Sequence, residues 1–305
     1  MAIITKISCW LWNQMFQYAF GKYLSIKNKT DLKLDITDYN TDKLRKYELN
    51  KFHINQPFAK ESEIPLYKIR NINKIKNNTL RYIVNFILNI LIYKILVHMV
   101  PWYVQEKNLA FNKKYLETKG NSYVSWYRQS YRYFDEIRDT IVKDFEIREP
   151  LDSKNQEIAN QMGKTDSIGI HFRRWDYVTQ VSLFRPNLIT CSLEYYKNAT
   201  TYIEKHIKNP VYFIFSDDPE RVKENFKTDK TCIFINRNKW ENAYKDMILM
   251  SKCKHDIIAN SSFSRWWARL NQNKWKIIIW PKKWFNKKSL NKQEKDMMPK
   301  EWIRI

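Results

Sequence analysis

The sequence predicts an α/β fold made of two Rossmann-like domains, residues 1–150 and 151–305. Three observations carry this. A strand-loop-helix unit opens the chain, apolar strands alternate with amphipathic helices through the second half, and a polar stretch containing Pro150 separates the two. At 305 residues the chain is long enough to bury about two cores.

The opening unit begins with the apolar run Ile3 to Ile7. Met15, Phe16, Ala19, Phe20, Tyr23 and Leu24 follow at the spacing of one helical face. Asn13 and Gln14 lie where that helix starts, at the strand end where such domains gather ligands. From Arg81 to Val104 runs the most apolar stretch, but Asn85, Asn89, Lys94 and His98 interrupt it on two opposed sides. That pattern predicts a buried or interface helix rather than a membrane span, with a surface helix dipping into lipid headgroups as the alternative. The polar stretch from Arg148 to Lys164 is expected to be the boundary between the halves.

In the second half, strands are expected at 167–172, 211–215, 232–235, 256–259 and 276–280. Helices are expected at 192–206, 219–226, 243–253 and 262–271. This alternation implies a parallel sheet covered on both faces. The stripe Met247, Ile248, Met250 and Ser251 marks a helix face turned to the core, and Cys253-Lys-His255 reads as packing at the start of a strand, since two ligands do not make a zinc site. The tail from Lys282 to Lys300 is expected to be a solvated basic surface anchored by Trp284 and Trp302.

The composition narrows the partners. Fifty-four Lys and Arg against 32 Asp and Glu give a net charge of +22, which suits a nucleotide diphosphate, a lipid surface or nucleic acid. No RNA-recognition or helix-turn-helix motif accompanies the charge, and the basic and aromatic residues are spread along the chain, so nucleic acid is not the expected partner. The four cysteines form no CxxC pair, and the terminus MAIITKISCW lacks a charged region followed by a long apolar one. A cytoplasmic protein without disulfides or zinc is expected.

Three polar clusters fall at predicted strand ends. They are His171-Phe-Arg173-Arg174-Trp-Asp176, Ser216-Asp217-Asp218 and Asn260-Ser261-Ser262-Phe263-Ser264. Each alone suits a structural role: an ion pair in the first, a helix cap in the other two. Together they suit a diphosphate, because guanidiniums offer forked donors, a serine-bearing turn offers N–H and hydroxyl groups, and carboxylates accept from guanine or ribose. The P-loop pattern GxxxxGK[ST] is absent.

The strings NQMFQYAFGKYL, HFRRWDY, YFIFSDD, DMILMSKCKHDIIANSSFS and PKKWF, in this order and with these gaps, resemble the motif series of family 11 glycosyltransferases, the bacterial α-1,2-fucosyltransferases. The resemblance implies a GT-B-type fold with its active site in the cleft between the domains. It implies an acceptor side in residues 1–150 and GDP-fucose binding in residues 151–305. The implied reaction is an inverting, metal-independent transfer of L-fucose from GDP-fucose to the 2-hydroxyl of a terminal galactose, with no cofactor. Galactose-terminated or lipid-linked glycans are the implied acceptors, in lipopolysaccharide or related synthesis, with peripheral contact to the anionic inner face of the membrane.

By the same resemblance Arg173 meets the β-phosphate, with Arg174 and Asp176 as its motif partners. His171, Asp217 and Asp218, with Ser216 beside them, sit near the nucleoside. Ser261, Ser262 and Ser264, after Asn260, sit near the phosphates, and Asn13 and Gln14 face the cleft. Arg173, Asp176 and Asn13 are the candidate catalytic residues, and the others are candidate binding residues.

The chain departs from the family pattern in one direction. Glycines expected in the motifs correspond to the Cys9–Trp12 segment, Trp126, Trp175, Trp240 and Trp267, while Arg128, Arg221, Arg265 and Arg269 stand where aromatics, mainly tryptophan, are common. Only four glycines remain in the whole chain. A glycine in a strand-to-helix loop supplies positive φ or close backbone approach, which tryptophan cannot. An impaired enzyme, or a non-catalytic nucleotide-sugar binder, is the expectation that follows.

Overall fold

The computed structural model describes residues 1–65, 87, 103–105, 110–125, 129–173, 189–238 and 240–305. The chain forms two compact units, Met1–Arg148 and Glu149–Ile305.

The first unit is built on a four-stranded parallel sheet, β1 Ala2–Lys6, β2 Asp31–Asp35, β3 Tyr103–Gln105 and β4 Ser122–Ser125, in the order β2-β1-β4-β3. Helix α1, Leu11–Lys27, crosses from β1 to β2 and is buried nearly all round, with Met15, Phe16, Ala19, Phe20 and Leu24 in the core. Burial of each large side chain there stabilises by roughly 1.5–3 kcal/mol. Gly21 allows α1 to lie against the sheet: a Cβ there would stand 2.1 Å from Thr5 Oγ1, so only hydrogen fits. At the rim of the sheet Tyr123 donates to Asp35 at 2.5 Å, and the same carboxylate accepts from the backbone and hydroxyl of Thr37. Helix α2, Arg138–Asp144, closes the unit, its Asp144 accepting from Tyr18 at 2.6 Å.

The expected helix over residues 81–104 lies outside the described residues apart from Ile87 and its last two positions. Those two, Tyr103 and Val104, belong to strand β3. No helix among the described residues is long and apolar enough to cross a membrane.

The second unit carries a six-stranded parallel sheet in the order β10-β9-β8-β5-β6-β7. Its strands are β5 Asp166–Phe172, β6 Pro210–Ser216, β7 Cys232–Ile235, β8 His255–Ile257, β9 Ile278–Trp280 and β10 Ile303–Arg304. The polar stretch read as a boundary is largely helix α3, Ser153–Lys164. Asp152 caps it by accepting from Asn155 N–H at 3.1 Å. A helix that buries only Asn155 and Met162 is necessarily polar, which is why it reads as a linker.

Helices α4 Leu193–His206, α5 Pro219–Asn225, α6 Ala243–Met250 and α7 Ser262–Leu270 follow the expected alternation within a few residues. The core gathers Ile168, Ile170, Phe172, Tyr196, Ile203, Tyr212 and Ile214 around the two longest strands. Gly169 on β5 is required by its neighbour, since a Cβ there would meet the Trp267 ring at 2.8 Å. Trp267, on α7, is fully buried, and its indole N–H finds no partner among the described residues.

The basic tail is more than a solvated surface. Trp284 and Trp302 are buried as anchors, and Met297, Met298 and Glu294 are buried with them. Helix α8, Lys288–Gln293, and strand β10 add to the unit's edge. Apolar residues among the lysines drive this packing, and the lysine-rich composition conceals it.

Candidate active site

In the second unit, register decides which predicted residues meet. Phe172 of β5 is paired with Ser216 of β6, so the next residue on each strand, Arg173 and Asp217, emerge side by side at the carboxyl edge of the sheet. The Arg173 Nε lies 3.7 Å from Asp217 Oδ2, and both side chains are about one-fifth exposed. A paired but accessible guanidinium can still turn donors toward a ligand. Ser216 and Asp218 instead shape the backbone. Ser216 accepts from Asp218 N–H at 3.0 Å, and Asp218 caps α5 by accepting from Arg221 N–H, with Pro219 as the first helical residue.

On the other side of β5, the turn from β8 into α7 carries the serines. Ser261 is the N-cap residue, yet its hydroxyl makes no cap hydrogen bond, and Ser262 is half-buried at the helix start. The first-turn N–H groups of a helix have no intrahelical partners, so this turn presents donors at the same sheet edge as Arg173. Ser264 faces inward: it is fully buried, and its Oγ lies 2.5 Å from His171 Nδ1. Burial, aided by the Arg173 charge, lowers the His171 pKa to about 3, so the imidazole is neutral at physiological pH.

Asn260 is a clamp. Its amide donates to the carbonyls of Ile189 and Trp284, and its Oδ1 accepts from the Cys191 thiol at 3.3 Å. Burial raises that thiol to about 12, so it stays protonated and able to donate. Two residues absent from the sequence reading complete the frame. Tyr195 donates to the carbonyls of Ile258 and Ile279, at 2.7 and 3.1 Å, and Tyr196 donates to that of His171 at 2.9 Å. Helical spacing assigns both to a core face, and nothing in the local sequence distinguishes a tyrosine that ties strand ends from one that fills space. Arg174 and Asp176 lie outside the described residues, as do Trp126, Arg128 and Trp175.

In the first unit the polar residues at the start of α1 divide by role. Asn13 is half-buried, and its Oδ1 accepts from Gln129 Nε2 at 3.3 Å, close behind β4. Gln14 is fully buried: it donates to the carbonyls of Cys9 and Lys46 and accepts from Glu48 N–H. Gln17, one turn further on, accepts from Ser8 N–H at 2.8 Å and donates to its hydroxyl. Its place four residues after Asn13 is the only hint the sequence offers. Tyr39 adds a second donor to the Cys9 carbonyl at 2.9 Å.

The bonds of Gln14, Gln17 and Tyr39 hold the turn in which Cys9 adopts φ 67°. That left-handed backbone costs roughly 1–2 kcal/mol for a residue bearing a Cβ, and it falls in the segment where the resemblance expects glycines. Trp10 and Trp12 stack beside it with ring centroids 5.9 Å apart.

The model of glycosyl transferase family 11 matches residues 2–305. The chain belongs to glycosyl transferase family 11. Among its family 11 relatives is an Escherichia coli alpha-1,2-colitosyltransferase, 31% identical over 99% of this chain and 98% of its own length. The Escherichia coli O-antigen biosynthesis glycosyltransferase WbnK is 30% identical, with 97% of each chain covered. Human galactoside alpha-(1,2)-fucosyltransferase 1 is 27% identical over 46% of this chain and 40% of its own length.

Proposed function

We propose that this glycosyltransferase moves L-fucose from GDP-fucose to the 2-hydroxyl of a terminal galactose in a surface glycan. The observation that carries this reading is the Arg173 guanidinium at the β5 edge, held beside Asp217, with the serine-bearing start of α7 following β8, the strand next to β5. A fixed cation and the N–H groups at a helix start suit a diphosphate leaving group. As the bond from the sugar C1 to the β-phosphate oxygen breaks, the bonding pair departs with GDP and negative charge grows where Arg173 stands. The galactose oxygen forms the new bond on the opposite face of C1, which inverts the configuration, and its proton passes to a base or to solvent. Asp176 is the motif carboxylate proposed nearest that step, as base or as partner of Arg174. On this reading no divalent cation is required, because the guanidinium and the helix supply the positive field.

A second reading concerns the donor. The full-length resemblance to an alpha-1,2-colitosyltransferase favours a colitose-bearing nucleotide as an alternative to the fucose-bearing one, with the same linkage and the same use of Arg173. The relative named for O-antigen biosynthesis supports a lipopolysaccharide-type acceptor, and the +22 charge supports cytoplasmic action at an anionic membrane face.

Incubation with GDP-fucose and lactose in the presence of EDTA, followed by mass spectrometry and NMR of the product, tests the proposal. An α-1,2-fucosyllactose product is expected, at a rate reduced by the motif substitutions. GDP-colitose in competition separates the two donor readings. Binding of GDP by calorimetry without transfer from either donor would establish the non-catalytic nucleotide-sugar binder instead, and pelleting with anionic vesicles tests the membrane contact.

A further inference from the structure

We infer that Ser264 is a positioning residue that holds His171 as a single tautomer, so that the carboxyl end of β5 presents one neutral Nε2–H donor beside Arg173. Ser264 is fully buried and His171 is 5% exposed, so neither group is free to reorient into water. Their 2.5 Å contact involves the imidazole Nδ1. A hydroxyl has one proton and must place it on an acceptor. Among the described residues Ser264 Oγ has no other side-chain or backbone acceptor, so its proton goes to Nδ1. That nitrogen is then unprotonated and the ring proton sits on Nε2, which likewise has no partner among the described residues.

The surroundings keep the ring in place and uncharged. Phe263, the neighbour of Ser264 on α7, packs its ring 5.3 Å from the imidazole, and Tyr196 on α4 holds the His171 carbonyl. Among the described residues at this edge, Arg173, two residues on, pairs with Asp217 on β6, and the buried Arg265 follows Ser264 on α7. The Arg173 cation disfavours a second proton on the ring. A protonated histidine would add a second charge and a second donor. The neutral Nε2–H instead adds direction, accepting no proton in the reaction and binding an oxygen or nitrogen of the donor nucleotide.

That last clause rests on the nucleotide-sugar reading above, whereas the tautomer does not, and the experiment separates them. Long-range 15N–1H spectra of the labelled chain resolve its five histidines, with His171 assigned by its loss in His171→Gln. The wild type is expected to show His171 as a single Nε2–H tautomer that stays neutral from pH 8 down to pH 5. Ser264→Ala, which removes the hydroxyl and adds no volume, is expected to show both tautomers and about tenfold weaker GDP binding. A His171 that carries its proton on Nδ1, or that titrates near pH 6.5, would overturn the inference, as would an unchanged tautomer pattern in Ser264→Ala. If wild-type His171 shows the expected tautomer and GDP does not bind, the donor reading fails and the role of Ser264 stands.

Discussion

The two strand-to-helix turns in which the sequence places site residues are built on opposite plans. In the first unit, the turn between β1 and α1 is tied to itself: Gln14 and Tyr39 direct their polar atoms to the backbone of Cys9, Lys46 and Glu48, Gln17 bonds the backbone N–H and the hydroxyl of Ser8, and Asn13 is half-buried near Gln129. In the second unit, the edge formed by β5, β6 and the start of α7 keeps Arg173 and Asp217 partly open, while Asn260, Tyr195 and Ser264 do the holding from inside. Polar residues grouped at a strand end therefore serve two purposes that sequence alone merges. Some meet the ligand, and others fix the backbone that makes the meeting possible.

The largest test of this contrast removes the open cation. Arg173→Ala is expected to lower kcat/KM for transfer by about 100- to 1,000-fold, or roughly 3–4 kcal/mol, while leaving the urea midpoint nearly unchanged. Arg173→Lys should recover only part of the rate, because a point charge replaces a fork of donors. A loss of folding stability comparable to the loss of rate would place Arg173 with the structural group instead.

Gln14→Ala probes the turn of the first unit. Truncation removes a buried amide that serves the Cys9 and Lys46 carbonyls and the Glu48 N–H; the Cys9 carbonyl keeps Tyr39, and each group left unsatisfied costs about 1–3 kcal/mol, moderated by relaxation. A loss of about 3 kcal/mol in urea unfolding is expected. A variant that folds as stably as the wild type but binds acceptor poorly would show that Gln14 faces the cleft, as the motif resemblance implies.

How much was legible follows the same division. The longer strands of the second unit were readable because apolar runs such as Tyr212 to Phe215 are buried on both faces, and burial of that kind leaves a local signature. Arg173 beside Asp217 was foreseeable as two strand-end clusters, although only the Phe172–Ser216 register makes them neighbours. The clamp by Gln14 was not readable, since two of its three partners lie more than 30 residues away and all three are backbone groups that any sequence would supply. Strand β10 and helix α8 were hidden by the lysine-rich composition around them, and α3 by its largely exposed surface.

A smaller effect comes from Asp246, which joins α6 to the loop after β7 by accepting from Asn238 at 2.7 Å; Asn238 in turn bonds Asn155 of α3. Burial raises its pKa to about 7. Its folded-state value therefore lies above the unfolded one, near 3.9. The folded chain holds the extra proton between those values, so this group's contribution to stability is full below about pH 4 and is lost as pH rises through 7. His171 works with the opposite sign, because its lowered pKa removes stability as pH falls below 6.5. The two are separated by difference: relative to wild type, Asp246→Asn should gain stability from pH 5 to pH 8, by on the order of 1–2 kcal/mol, in urea titrations at each pH. No pH dependence in that difference would mean the carboxylate is ionised in the fold throughout.

The smallest effect isolates the backbone of the turn in the first unit. Cys9 holds φ 67° because Gln14 and Tyr39 both bond its carbonyl, so the conformation is imposed by the surrounding contacts rather than chosen by the residue. Cys9→Gly removes the Cβ penalty of roughly 1–2 kcal/mol, offset by about 0.5–1 kcal/mol of added unfolded-state entropy. A net gain of about 0.5–1 kcal/mol is expected, visible as a higher urea midpoint, whereas Cys9→Ala should gain nothing because it keeps the Cβ. If Cys9→Gly also speeds transfer, the strained turn limits the acceptor side as well as stability. If glycine destabilises, the thiol contributes packing that outweighs the relief of strain.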